Sequence, residues 1–235
     1  MDVLVVLTGR KGHGKDAVAD IGISKYNCAG KVALADWFKK VLSTEFKIPL
    51  NKFYDVVDKD AVLSKPITIN ERNLRNLVRA IETHGYKGAS RLSVSKWMGR
   101  QIHSLRDLMV WFGGEVVYKN VSPTFHCDVT VRALKDTPRS DEGANVIFVT
   151  DARFYEQSKY FLERFPFVYT VRIQRPNGSN GDDMTEKCND EFPDNYFFKT
   201  IINDGTIEDL TDKVGKVMMS IKRDLSKRLG KTSKK

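Results

Sequence analysis

Cysteine is scarce in this chain. Three occur in 235 residues, Cys28, Cys127 and Cys188, far apart and with no C-x-x-C pair. Such spacing excludes a disulfide scaffold and predicts free thiols in a reducing cytosol. The four histidines, His13, His84, His103 and His126, lack the spacing of zinc ligands as well. Long apolar runs are missing, and so is a leader pattern at the start, so neither a membrane span nor export is expected. No internal repeat or low-complexity linker interrupts the chain. It reads as a single domain over 1–235 with inserted lobes, long enough to bury a full core.

Charge is abundant and unbalanced. There are 39 basic and 30 acidic residues, a net charge of +9. Much of the excess lies between Lys222 and Lys235, which reads as a solvated helix end with a frayed terminus. No aromatic-rich recognition motif accompanies it, so a nucleic-acid partner is not expected. A positive cleft also suits an enzyme that binds polyanionic small molecules.

Periodicity predicts a buried strand over Val3–Thr8 and a helix over Asp16–Tyr26. A short strand over Lys31–Ala33 and a helix over Ala35–Phe46 follow. Residues 47–92 are polar and irregular, with one helix near Asn70–His84, and read as an insertion. Val94–Tyr118 is expected to be helical, broken near Gly99 and near Gly113-Gly114. Further strands are expected at Val146–Thr150, Phe167–Ile173 and Thr200–Ile202, with helices at Glu156–Phe165 and Ile207–Leu225. Strands alternating with helices predict an α/β fold with a parallel sheet covered on both faces.

The most specific motif joins the first strand to the first helix. Gly9-Arg10-Lys11-Gly12-His13-Gly14-Lys15-Asp16 has the glycine and lysine spacing of a phosphate-binding P-loop. Glycines let backbone N–H groups turn inward around phosphate oxygens, and the helix that follows points its positive end at them. Lys15 would reach the outer phosphates. His13 would contact phosphate or stay solvated. The hydroxyl that often follows the lysine is replaced by Asp16, and Ala17 offers none. Asp16 would either bind magnesium, directly or through water, or cap the helix.

Ligands of such sheets gather at the carboxyl ends of strands. There the chain carries Asp36 and Lys39, then Asp151-Ala152-Arg153, then Arg175-Pro176, then Asn203-Asp204-Gly205. Asp151 could orient magnesium-bound water or a substrate hydroxyl, and Arg153 could fork around a monophosphate. Equally, the two could pair or cap the next helix. Arg106 could reach over phosphates or pair with a carboxylate. Arg175 and the loop 177–190 could form a lid. Asn203-Asp204-Gly205 could border a base or form a turn. Trp97 and Trp111 read as core.

Taken in order, these segments resemble one family. The Gly-Lys-Asp loop, Leu34-Ala35-Asp36 with Lys39, Arg106-Asp107-Leu108-Met109 leading to Gly113, Asp151-x-Arg153, Arg175-Pro176, Thr185-Glu186 and Asn203-Asp204-Gly205 look like the deoxynucleoside monophosphate kinases of tailed bacteriophages. The resemblance covers Met1 to about Val217. It implies a P-loop kinase fold, usually a homodimer, in the host cytoplasm. The implied activity is phosphoryl transfer from ATP with Mg2+ to deoxynucleoside monophosphates. Gly9, Lys11, Gly12, His13, Gly14, Lys15, Asp16, Ala17 and Arg175 would then serve ATP, with Asp16 at the metal. Asp36, Lys39, Arg106, Gly113, Asp151, Arg153 and Glu156 would serve the acceptor, and Lys15, Arg106, Asp151 and Arg153 the chemistry. The chain departs from the family at Val110, Gly114 and His126. It also has Gln157 where an acid is expected, with Glu156 one place early. Phosphomevalonate kinases of animals also use Gly-Lys-Asp without the hydroxyl, so another small-molecule kinase is a second reading. A non-catalytic nucleotide-binding or DNA-associated phage protein is a third.

Overall fold

Val3, Leu4, Val5, Val6 and Leu7 are all almost completely buried. A strand buried on both faces belongs in the middle of a parallel sheet. The computed structural model describes residues 1–87, 89, 94–137, 144–176 and 192–232. Its strands are β1 (Asp2–Thr8), β2 (Gly30–Ala33), β3 (Ile67–Thr68), β4 (Gln101–Ile102), β5 (Asn145–Thr150), β6 (Val168–Gln174) and β7 (Lys199–Ile202). The helices are α1 (Lys15–Tyr26), α2 (Asp36–Phe46), α3 (Val56–Asp60), α4 (Glu71–Glu82), α5 (Leu105–Met109), α6 (Phe125–Ala133), α7 (Tyr155–Arg164) and α8 (Ile207–Thr232). Two compact units emerge, Met1–Leu34 with Thr130–Lys235, and Ala35–Val129. The described part of the segment 47–92 lies within the second unit. The loop 177–190, with Thr185, Glu186 and Cys188, lies outside the described residues.

The first unit is a five-stranded parallel sheet in the order β2-β5-β1-β6-β7, flanked by helices. Alternation sends Val3, Val5 and Leu7 to one face, with Phe148, Tyr169, Val171 and Ile173 beside them. Val18 and Ile21 of α1 and Leu210, Val214, Ile221 and Leu225 of α8 cover that face. Leu4, Val6, Ile147 and Val149 point the other way and are equally buried. In the two common doubly wound orders the first two strands of the chain are neighbours. Here β5 separates them. The connection out of β1 runs to β2 on one side, while that out of β6 runs to β7 on the other. Adjacent strands that release the chain in opposite directions form a switch point, where such sheets bind ligands.

The second unit has its own core, in which Leu42, Phe53, Ile69, Leu74, Ile81, Trp111 and Phe112 are buried. Its helix starts are written locally. Asn70 and Asn73 cap each other at α4, and Ser104 accepts from the Asp107 N–H at α5. The region 94–118 is helical at both ends and broken at Gly99, as expected, but it differs at 101–102 and at the glycine pair. A single 3-10 turn over Val94–Trp97 ends at Gly99, whose φ is +78°. The Gly99 N–H then donates to Ile69 O, and Ile69 N–H to Arg100 O, so an antiparallel β3–β4 pair takes these backbone groups instead. The glycine pair does not break the chain. Val110–Tyr118 is a π-helix that runs through Gly113-Gly114. A Cβ on Gly113 would lie 3.2 Å from the Phe38 ring, so the glycine serves close packing.

Candidate functional site

The loop after β1 is built from backbone that few residues tolerate. Gly9, Gly12 and Gly14 have φ of +141°, +74° and +98°. A Cβ on Gly9 would stand 2.3 Å from Ile173 O, and one on Gly14 2.5 Å from Asn203 Nδ2, whereas Gly12 faces open space. The loop is propped from β6 and from the turn after β7. His13 Nδ1 lies 3.1 Å from Ile173 O, and Asn203 Nδ2 donates to His13 O at 2.9 Å. Both side chains are buried. Lys15, only 6% exposed, folds back over the loop and donates to Gly9 O at 2.7 Å and Arg10 O at 2.9 Å. No side chain caps α1, so the first-turn N–H groups face the loop without a protein acceptor of that kind.

Asp16 is exposed in the first turn of α1 and does not cap it. Lys11 is half-buried, and Ala17 packs partly against the core. At the end of β5, Asp151 is half-buried with φ +63°, an unusual backbone for a residue with a side chain. Gln157 explains the turn that follows. Its Oε1 accepts from the N–H of Arg153 at 3.0 Å and of Phe154 at 3.2 Å, and the side chain is 3% exposed. The position where an acid is expected thus holds the entry to α7. Glu156 beside it is exposed, as is Arg175 after β6.

In the second unit, Tyr54 Oη donates to Asp36 Oδ1 at 2.8 Å, and Lys39 Nζ sits 4.2 Å above the Tyr54 ring. Lys39 is buried, its charge partly offset by the ring face. Arg106 Nε donates to Asp60 Oδ1 at 2.7 Å. Gly113 O lies 3.1 Å from His126 Nε2. His126 is buried, its Nδ1 has no hydrogen-bond partner among the described residues, and burial pushes its pKa down to about 4. The neutral ring donates from Nε2 to the Gly113 carbonyl and packs near Phe38.

Asn203, read from the sequence as bordering a base or forming a turn, also props the glycine loop. Its position in a turn after a strand is visible in the sequence, but the bond to a carbonyl 190 residues away is not. Among the described residues, no group of three or more His, Cys, Asp or Glu could hold a metal ion, and no helix is long and apolar enough to cross a membrane. No protein-family model and no curated protein matches the chain.

Proposed function

We propose that the chain is a P-loop kinase that transfers a phosphoryl group from ATP to deoxynucleoside monophosphates. The observation that carries this reading is the loop Gly9–Lys15. It follows the central strand at the switch point, turns at three positive-φ glycines and holds a buried lysine across its mouth. A triphosphate fits this donor set, because phosphate oxygens would replace the Gly9 and Arg10 carbonyls as acceptors for Lys15 and meet the uncapped N-terminus of α1.

Magnesium would supply charge neutralisation at the phosphates. The residues fit a weakly held ion, since Mg2+ needs only one or two carboxylates beside phosphate and water. Asp16, with Asp151 at the end of β5, would be those carboxylates. Lys15 and the loop amides hold and orient the donor phosphates. Arg153 binds the acceptor phosphate, and its backbone is fixed by Gln157. Lys39 and Arg106 are assigned to the acceptor by resemblance. For Arg106 this means exchanging the Asp60 carboxylate for a phosphate, which its remaining guanidinium donors permit. Catalysis in this scheme is positioning and charge stabilisation, with no covalent work by the protein.

The test is a phosphotransfer assay across deoxy- and ribonucleoside monophosphates, with Lys15→Ala as the matched variant. Transfer to deoxynucleotides is expected, and Lys15→Ala should lower it at least about a hundredfold with the fold retained. Turnover only with a non-nucleotide phosphate would move the chain to another small-molecule kinase class. ATP binding without turnover, with salt-sensitive DNA binding, would make it a non-catalytic binding protein.

A further inference from the structure

The sheet face turned away from α1 carries a cation that the scheme above does not use. Thr8 and Arg172 are register partners on β1 and β6, the two strands of the switch point. Alternation puts both side chains on that face. Arg172 is half-buried and makes no hydrogen bond or ion pair among the described residues. Its guanidinium lies 5.3 Å from the centre of the Phe197 ring. Thr8 is 1% exposed, and its hydroxyl has no hydrogen-bond partner among the described residues. The rings of Tyr155, Phe192, Tyr196 and Phe197 form a cluster beside Arg172.

Each group keeps hydrogen-bonding capacity that the fold does not use. Stacking over a ring satisfies none of the five guanidinium N–H donors, which stay open to a ligand. The buried Thr8 hydroxyl without a partner is unfavourable. These two groups lie in adjacent strands at the edge where this kind of sheet binds ligands, and together they offer donors that suit an anion. A planar fork at that place matches two oxygens of a phosphoryl group.

We propose that Arg172, seated beside Thr8, is a phosphate subsite that takes the phosphoryl group of the acceptor. The proposal rests on the phosphotransfer reading above. Lifted from Phe197, the guanidinium would find an acceptor in the Thr8 hydroxyl and keep its outer donors for the ligand. Thr8 is then a positioning residue. The same chemistry would suit the outer phosphate of ATP, and the kinetics separate the two.

The experiment compares wild type with Arg172→Lys, Arg172→Gln, Thr8→Val and Phe197→Leu. Acceptor and ATP are varied in turn, and Tm is measured for each variant. Both Arg172 variants should raise the acceptor KM about tenfold or more, with the ATP KM within about twofold and Tm little changed, as for loss of one charge-assisted fork. Thr8→Val should raise acceptor KM while holding or raising Tm, because the unmet hydroxyl is gone. An unchanged acceptor KM in the Arg172 variants overturns the subsite and leaves the kinase reading intact. A rise in ATP KM instead overturns the acceptor assignment. If Phe197→Leu and Arg172→Gln lower Tm alike and leave acceptor KM unchanged, the arginine is only a packing element and the proposal fails. Should wild type transfer phosphate to no monophosphate, the kinase reading fails by itself. Calorimetric titration of Lys15→Ala and Lys15→Ala/Arg172→Gln with inorganic phosphate then decides the subsite. Weaker binding in the double variant supports it, and equal binding overturns it.

Discussion

His126 is buried, neutral and bonded through one ring nitrogen to the Gly113 carbonyl. Its pKa falls from 6.5 in the open chain to about 4 in the fold. The unfolded chain therefore binds the extra proton between those values, so acid favours unfolding. The stabilising contribution is complete above about pH 6.5 and is lost as pH falls toward about 4, at up to ~1.4 kcal/mol per pH unit. Melting curves across that window should show Tm falling for wild type, and a shallower fall for His126→Gln, whose amide still reaches a carbonyl. Parallel curves would mean that other groups dominate the acid response. Asp16 poses a different question. It is exposed and does not cap α1, so its truncation costs the helix no capping bond, only a favourable charge in the first turn. Asp16→Ala should raise the magnesium concentration for half-maximal turnover about three- to tenfold, the worth of one ordinary hydrogen bond made through a water. Coincident magnesium titrations of variant and wild type would remove Asp16 from the metal site.

At the scale of elements, the glycine loop depends on its neighbours as much as on itself. Ile173 of β6 approaches both Gly9 and His13, and Asn203 after β7 holds the His13 carbonyl. Strand pairing of β1 with β6, and of β6 with β7, thus sets the loop's shape. Asn203→Ala removes one buried hydrogen bond, which costs about 0.5–1.5 kcal/mol. ATP affinity should fall about two- to tenfold on that scale, and the acceptor KM should change less. Equal losses for both substrates would show that the turn props the whole unit rather than the loop. The π-helix Val110–Tyr118 is an element of the opposite kind, where a wider turn lets Gly113 pack against Phe38.

Two hydrophobic clusters of the described residues are each confined to one unit. One joins the sheet to α1 and α8, and the other fills Ala35–Val129. Stability is then expected to be divided in the same way. Leu108→Ala empties a fully buried position of the second unit, at a cost of about 2–5 kcal/mol. Native-state hydrogen exchange should speed up across α2, α4 and α5 and change far less in β1, β5 and β6. A uniform acceleration would show that the two units open together. The net charge of +9 belongs to this scale too. It is a property of solubility and of encounter with anions, and does not determine the fold.

The apolar run Val3–Leu7, the glycines and lysine after it, and the helix that follows them were legible directly, because strand, turn and helix preferences depend on residues a few positions apart. So was the alternation of strands and helices that makes the sheet parallel. Within 94–118 the same local logic found the helical turns and the break at Gly99 but missed the short strand Gln101–Ile102, because Ile69, thirty residues before Gly99, accepts from the Gly99 N–H and donates to Arg100 O. Only the tertiary structure decided that β5 lies between β2 and β1, that Arg106 meets Asp60, and that Arg172 stands beside Thr8. Such pairings are chosen by topology, which brings together segments whose own sequences carry no record of each other. The chain therefore determined where a glycine loop forms between the first strand and helix, and the fold determined which distant side chains hold it in shape.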